Sequence, residues 1–240
     1  MSLGVTIVAG LGLLVALALA GGSVHLATQG GLNSVSLSAK KASILLGVQG
    51  LGITVVVGSP AVVGMAFWEL APETIGLNES VIALPLGIGV GCASFGVFVG
   101  VKTPFEAAGL SFSQPFEDAM PKTGWEMGCY AGGIAVASSA EELLFRGSLI
   151  GAMAAILSVS PWLLIVPSAI LFGFAHADRG SGHIVVLTLL GIGWGILFVF
   201  SGLVAAAIAH VVTNGLYVFY LGFVTNDKST NDSHEQGTSV

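Results

Sequence analysis

The sequence predicts an all-α fold: a polytopic transmembrane helical bundle with seven to eight membrane helices. Three observations carry this. Only 8% of the 240 residues are charged and 54% are hydrophobic, whereas a soluble domain carries about 25% charged residues to cover its surface. Apolar runs recur with short polar gaps between them, several of them near the roughly 20 residues a spanning helix requires. Those runs are continuously apolar, where barrel strands would alternate over about 10 residues. The 35 glycines suit helices that pack closely in lipid. A net charge of −6 with scattered Lys and Arg excludes a nucleic-acid partner, and so much apolar surface excludes a disordered chain.

The first run is Leu3–Ala27. Ala18-Leu19-Ala20 has the form of a cleavage site, but no Lys or Arg precedes the run and it continues past that site, so a retained helix is expected. Ala42–Trp68 and Val81–Val101 follow as the second and third helices. Trp125–Phe145 is the fourth, and Gly147–Ser158, too short to cross alone, is a half-helix or a continuation of it. Pro161–Ala177, His183–Gly202 and Leu203–Val224 complete the set. Residues 1–124 thus form N-terminal membrane helices and 125–224 a helical core, while the polar composition of 225–240 predicts a disordered tail. Residues 73–80 and 105–113 share an acid followed by Gly-Leu and are expected to turn at the membrane surface. Cys92 and Cys129 lie in apolar stretches outside any CxxC pair and are expected to be small buried hydrophobes.

In so apolar a bundle, each ionisable residue inside a span calls for a reason. The densest cluster is Glu141-Glu142-Leu143-Leu144-Phe145-Arg146. Adjacent helical residues point about 100° apart, so the two acids should serve different faces. Glu142 and Arg146 have the i,i+4 spacing of an ion pair with the acid N-terminal. That pairing leaves Glu141 without a local partner, a carboxylate in an apolar site suited to accept a proton. Phe172-Gly173-Phe174-Ala175-His176 closes the sixth segment, and beyond it Asp178, Arg179 and His183 look like an ordinary polar turn. In His210-Val211-Val212-Thr213-Asn214 the i,i+4 spacing puts His210 and Asn214 on one helical face. This inventory supplies a general base, an imidazole and oxyanion donors; one carboxylate and two imidazoles, Glu141, His176 and His210, also match a catalytic zinc set. HExxH and GxSxG motifs are both absent. The residues alone leave an intramembrane hydrolase or a proton-coupled transporter.

The order EExxxR, FxxxH, HxxxN resembles the CPBP family of intramembrane proteases, which includes type II CAAX prenyl endopeptidases and bacteriocin-processing or immunity proteins. The resemblance covers about residues 125–223. It implies that Glu141 and His176 activate water and that His210 and Asn214 stabilise the oxyanion, with Glu142 and Arg146 as a structural ion pair. It leaves a zinc requirement open. It further implies a membrane-associated peptide or protein substrate that enters laterally from the lipid bilayer, and residence in a prokaryotic cell membrane. A catalytically idle scaffold or immunity-type protein is the alternative. A transporter is less favoured, because the sequence shows no repeated halves.

Lys40 and Lys41 occupy the first gap and Lys102 and Lys122 flank the third, while Glu69, Glu73 and Glu79 fall in the second with no base. The positive-inside rule then puts the first and third gaps in the cytoplasm. Cysteines introduced at Ser38 and Ser80, in a background without Cys92 and Cys129, should label from opposite sides of the membrane, Ser38 from the cytoplasm. Labelling of both from one side would overturn this topology.

Overall fold

Long apolar runs become helices because a backbone in lipid must satisfy its own polar groups. The structure is a computed structural model that describes residues 2–29, 39–67, 69–78, 80–112, 121 and 123–236. Helix α1 spans Leu3–Thr28, capped by the Ser2 hydroxyl, which accepts from the Val5 N–H. Helix α2 (Ala39–Ile53) widens into a π-helical stretch, Thr54–Gly58, and continues as α3 (Ser59–Phe67). The widening directly precedes Pro60, which has no N–H to give the ladder. A 3₁₀ turn, Pro72–Ile75, leads to α4 (Ala83–Ala107). Helix α5 (Gly124–Glu142) opens with a capping box between Thr123 and Glu126. It passes unbroken into a second π-helical stretch, Leu143–Ala152, and then α6 (Met153–Leu157). Helix α7 (Trp162–Phe174), a 3₁₀ turn at Ala177–Arg179 and α8 (Ser181–Gln236) complete the chain.

Helix α8 is bent at Gly202, whose φ of 83° and ψ of −179° are not helical. Its arms, 181–201 and 203–236, fold back on one another. The Trp194 ring stacks on His210 at 4.3 Å, and Phe98 of α4 touches both His183 and Tyr217, at 5.6 and 4.9 Å. The Leu203 N–H donates to the Gly76 carbonyl at 2.7 Å, tying the bend to the 3₁₀ turn. Helix α4 lies against the second arm: a methyl on Gly87 or Gly91 would come within 2.7 Å of Ile208 or Val212. One apolar cluster joins Val8 of α1, Val57, Leu144, Phe172 of α7 and Ala209 of α8.

Among the described residues four helices are long and apolar enough to cross a membrane: Leu3–Thr28, Ile44–Phe67, Ala83–Ala107 and Ser181–Gly222. The protein is an all-α integral membrane protein, but the seven to eight membrane helices expected from the sequence are not reached. Helix α7 has only 13 residues and α5 carries Glu126, Glu141 and Glu142; Gly147–Ser158 continues α5, the second of the two forms expected for it. Helical backbone also runs to Gln236, where a disordered tail is expected; extending a formed helix needs no new nucleus. Cys92 and Cys129 are exposed, not buried, because in a bundle the apolar surroundings of an outer face are lipid. Gly76 and Gly109, the glycines of the two acid-then-Gly-Leu segments, both have left-handed φ, at 78° and 84°. Ser38, Glu79 and Lys122 lie outside the described residues.

The bend at Gly202 depends on the missing side chain: a Cβ there would have left-handed φ and sit 2.6 Å from the Gly76 carbonyl oxygen. Gly202→Ala should destabilise the detergent-purified protein by about 1–3 kcal/mol from backbone strain, more with the clash. Thermal unfolding measures it, and an unchanged midpoint would remove the argument.

Candidate active site

Glu142 ends α5 and is 0% exposed; Arg146, one turn on, is 1% exposed. A buried charge must be paired. Arg146 Nη1 donates to Glu142 Oε1 at 2.9 Å, and Nη2 donates to the Gly191 carbonyl at 3.0 Å. The guanidinium also lies 4.9 Å from the Phe172 ring centroid and 5.5 Å from that of Trp194. The π-helical stretch loosens the backbone ladder here, and the Ser168 hydroxyl donates to the Phe145 carbonyl at 2.6 Å.

His210 is oriented by the same carboxylate. Its Nδ1 lies 2.8 Å from Glu142 Oε1; a carboxylate only accepts, so Nδ1 carries the proton and Nε2 faces away from Glu142. That Nε2 is 3.8 Å from Glu141 Oε2. The His176 Nδ1–H donates to the Phe172 carbonyl at 2.9 Å, and its Nε2 is 4.0 Å from the same Glu141 oxygen. Two imidazole nitrogens, one from the turn after α7 and one from α8, therefore converge on one carboxylate oxygen. Gln49 Nε2 of α2 donates to the other oxygen, Glu141 Oε1, at 3.4 Å. Asn214 Nδ2 donates one hydrogen to Ser138 Oγ at 3.0 Å and keeps a second.

Glu141, His176 and Asn214 line a cavity of about 100 Å³ with Arg179, Tyr130, Tyr217 and several apolar side chains. The turn that carries His176 is held from outside: the Ser23 hydroxyl of α1 donates to the Asp178 carboxylate and accepts from the Asp178 N–H. The structure thus brings Glu141, His176, His210 and Asn214 together, with Glu142 and Arg146 beneath them.

Several details differ from the sequence expectation. The two acids were assigned to separate faces, yet His210 lies between them, one nitrogen toward each. Glu141, expected to have no local partner, has a distant one, Gln49. Arg179, set aside as part of a polar turn, lines the cavity. His183 packs on Phe98 and Phe112 instead. A polar amide inside the apolar run 42–68 was the signal for Gln49; for Arg179 it was its place three residues after His176. Among the described residues no group of three His, Cys, Asp or Glu placed to hold a metal ion is found, so a metal requirement is not shown.

Residues 123–216 match the family model described as type II CAAX prenyl endopeptidase Rce1-like. This segment is similar to the CPBP family of intramembrane proteases, which includes those endopeptidases. It is well under half of the 240-residue chain, but it holds all seven motif residues from Glu141 to Asn214; Ser23 and Gln49 fall outside it. No curated protein and no solved structure matches the chain.

Glu142→Gln should cost about 3–5 kcal/mol, because it leaves Arg146 buried without a counter-charge. Adding Arg146→Met should recover much of that loss in a denaturation series. A single variant as stable as the parent would contradict the pairing.

Proposed function

We propose that this protein is an intramembrane endopeptidase that hydrolyses a peptide bond of a membrane-associated substrate. One observation carries the reading: Nε2 of His176 and of His210 approach the same oxygen of Glu141 beside a buried cavity that Asn214 also lines. Glu141 and His176 act on water. The Glu141 carboxylate takes a proton as the water oxygen bonds to the scissile carbonyl carbon, with His176 Nε2 orienting that water. The carbonyl π electrons move to oxygen, and the oxyanion is met by the second Nδ2–H of Asn214 and by His210. His210 can donate from Nε2 only as an imidazolium, since its Nδ1–H is committed to Glu142; the Glu142 carboxylate supports that charge. Collapse breaks the C–N bond, and the proton held by Glu141 passes to the leaving nitrogen.

The substrate class follows from the surroundings. A second cavity of about 1140 Å³, lined almost wholly by apolar side chains of the Thr54–Gly58 stretch, α3, α5 and the second arm of α8, passes Ser139 and Ala140, just before Glu141. A lipid-embedded segment suits such a groove, which supports lateral entry from the bilayer. The name of the matched family, type II CAAX prenyl endopeptidase, points to prenylated CAAX substrates, and a prenyl chain is one apolar group of the right kind. Lys102 and Arg179 lie at the site's end of the bundle, each close enough to act electrostatically on His183. By the positive-inside rule that end is cytoplasmic.

Purified protein incubated with a pool of proteome-derived membrane peptides should cleave some of them, and Glu141→Gln, which keeps the shape and loses the base, should cleave none while remaining folded. On a peptide taken from that pool, Asn214→Ala should lower kcat by about 10²–10³ with little change in KM. A stable Asn214→Ala protein with normal turnover would refute the oxyanion role.

A further inference from the structure

We infer that Gln49 is a positioning residue for the Glu141 carboxylate, which makes α2 part of the site although it lies outside the segment matching the family. The inference rests on the reading of Glu141 as the base.

The geometry divides the two carboxylate oxygens. His176 and His210 approach Oε2, while the Gln49 amide donates to Oε1. Oε1 is anchored, and Oε2 is left to work on water. A glycine makes the anchor reachable. A methyl on Gly50 would lie 2.9 Å from the backbone of Ala137, so α2 and α5 touch main chain to main chain one turn before Glu141. Gln49, next to Gly50, is then within reach of Glu141. The chemistry of the anchor matters too. The charged or titratable groups acting on Glu141 are His176, Arg179, His210, Glu142 and Arg146. A further cation on Oε1 would bind the carboxylate and blunt it as a base, whereas an amide orients it and leaves its charge available. A polar amide in a helix otherwise apolar enough to span the membrane needs a partner, and Glu141 provides one.

Two substitutions separate anchoring from packing. Gln49→Met keeps the length and loses the donor; Gln49→Ala loses both. If Gln49 holds the carboxylate, both variants should lower kcat on the pool-derived peptide by about 10–10²-fold with KM nearly unchanged, since misplacement of a catalytic group acts on the chemical step. If Gln49 only fills space, Gln49→Met should turn over normally, and that result overturns the inference. A second measurement needs no turnover. Dicyclohexylcarbodiimide reacts with protonated carboxyl groups in apolar sites, and losing one hydrogen bond to the ionised form should raise labelling of Glu141 about fivefold in Gln49→Met. Labelling equal to the parent's overturns the contact. If the parent cleaves no peptide yet labelling still responds to Gln49→Met, the proteolytic reading fails and the anchor stands.

Discussion

The structure depends on one buried oxygen, Glu142 Oε1. It accepts from Arg146 at 2.9 Å and from His210 at 2.8 Å, in a place with no access to solvent. Burying a carboxylate costs far more than a single hydrogen bond returns, so two charge-assisted donors are the least this position requires. Each donor then fixes something else. Arg146 reaches across to the Gly191 carbonyl and so ties α5 to the first arm of α8. His210, pinned at Nδ1 and stacked on Trp194, has no freedom left in its other nitrogen, which must face Glu141. Glu142 therefore decides both the tautomer and the aim of His210.

Small residues let the helices come close enough for this. Gly87 and Gly91 seat α4 against the second arm, and Gly202 folds that arm back so that Trp194 can reach His210. The first two helices complete the arrangement from outside the family segment. Ser23 of α1 holds the turn behind His176 through Asp178, and Gln49 of α2 meets Glu141. Of the site's geometry, the family segment supplies Glu141, His176, His210 and Asn214, and the N-terminal helices supply contacts that hold two of them.

Much of this could be read from the chain. The Glu142–Arg146 spacing and the His210–Asn214 face are local, and a helix makes local spacing geometric. The break at Gly202 coincides with the boundary drawn between two apolar runs. Long-range neighbours were less legible. Gln49 and Glu141 are 92 residues apart in the chain, and nothing in the neighbourhood of either names the other. The convergence of both acids on His210 was hidden for the same reason: helical angles say where a side chain points, not which ring will stand between two of them. The helix count failed on a different ground. Apolar length separates spanning from non-spanning segments only when each helix ends with its run, and here α5 continues through a π-helical stretch into α6.

The two faces of α5 meet different surroundings. Val136, Ser139, Ala140 and Leu143 line the large apolar groove, while Ile134, Ala137, Ser138 and Glu141 line the small polar cavity. Both sets recur at intervals of one, three or four residues, the signature of opposite stripes on one helix. The cavity of about 100 Å³ beside Glu141 and the apolar groove are thus separated by the width of α5. The two acids stand where the helix ends and the π-helical stretch begins: Glu141 toward the small cavity, Glu142 toward the core.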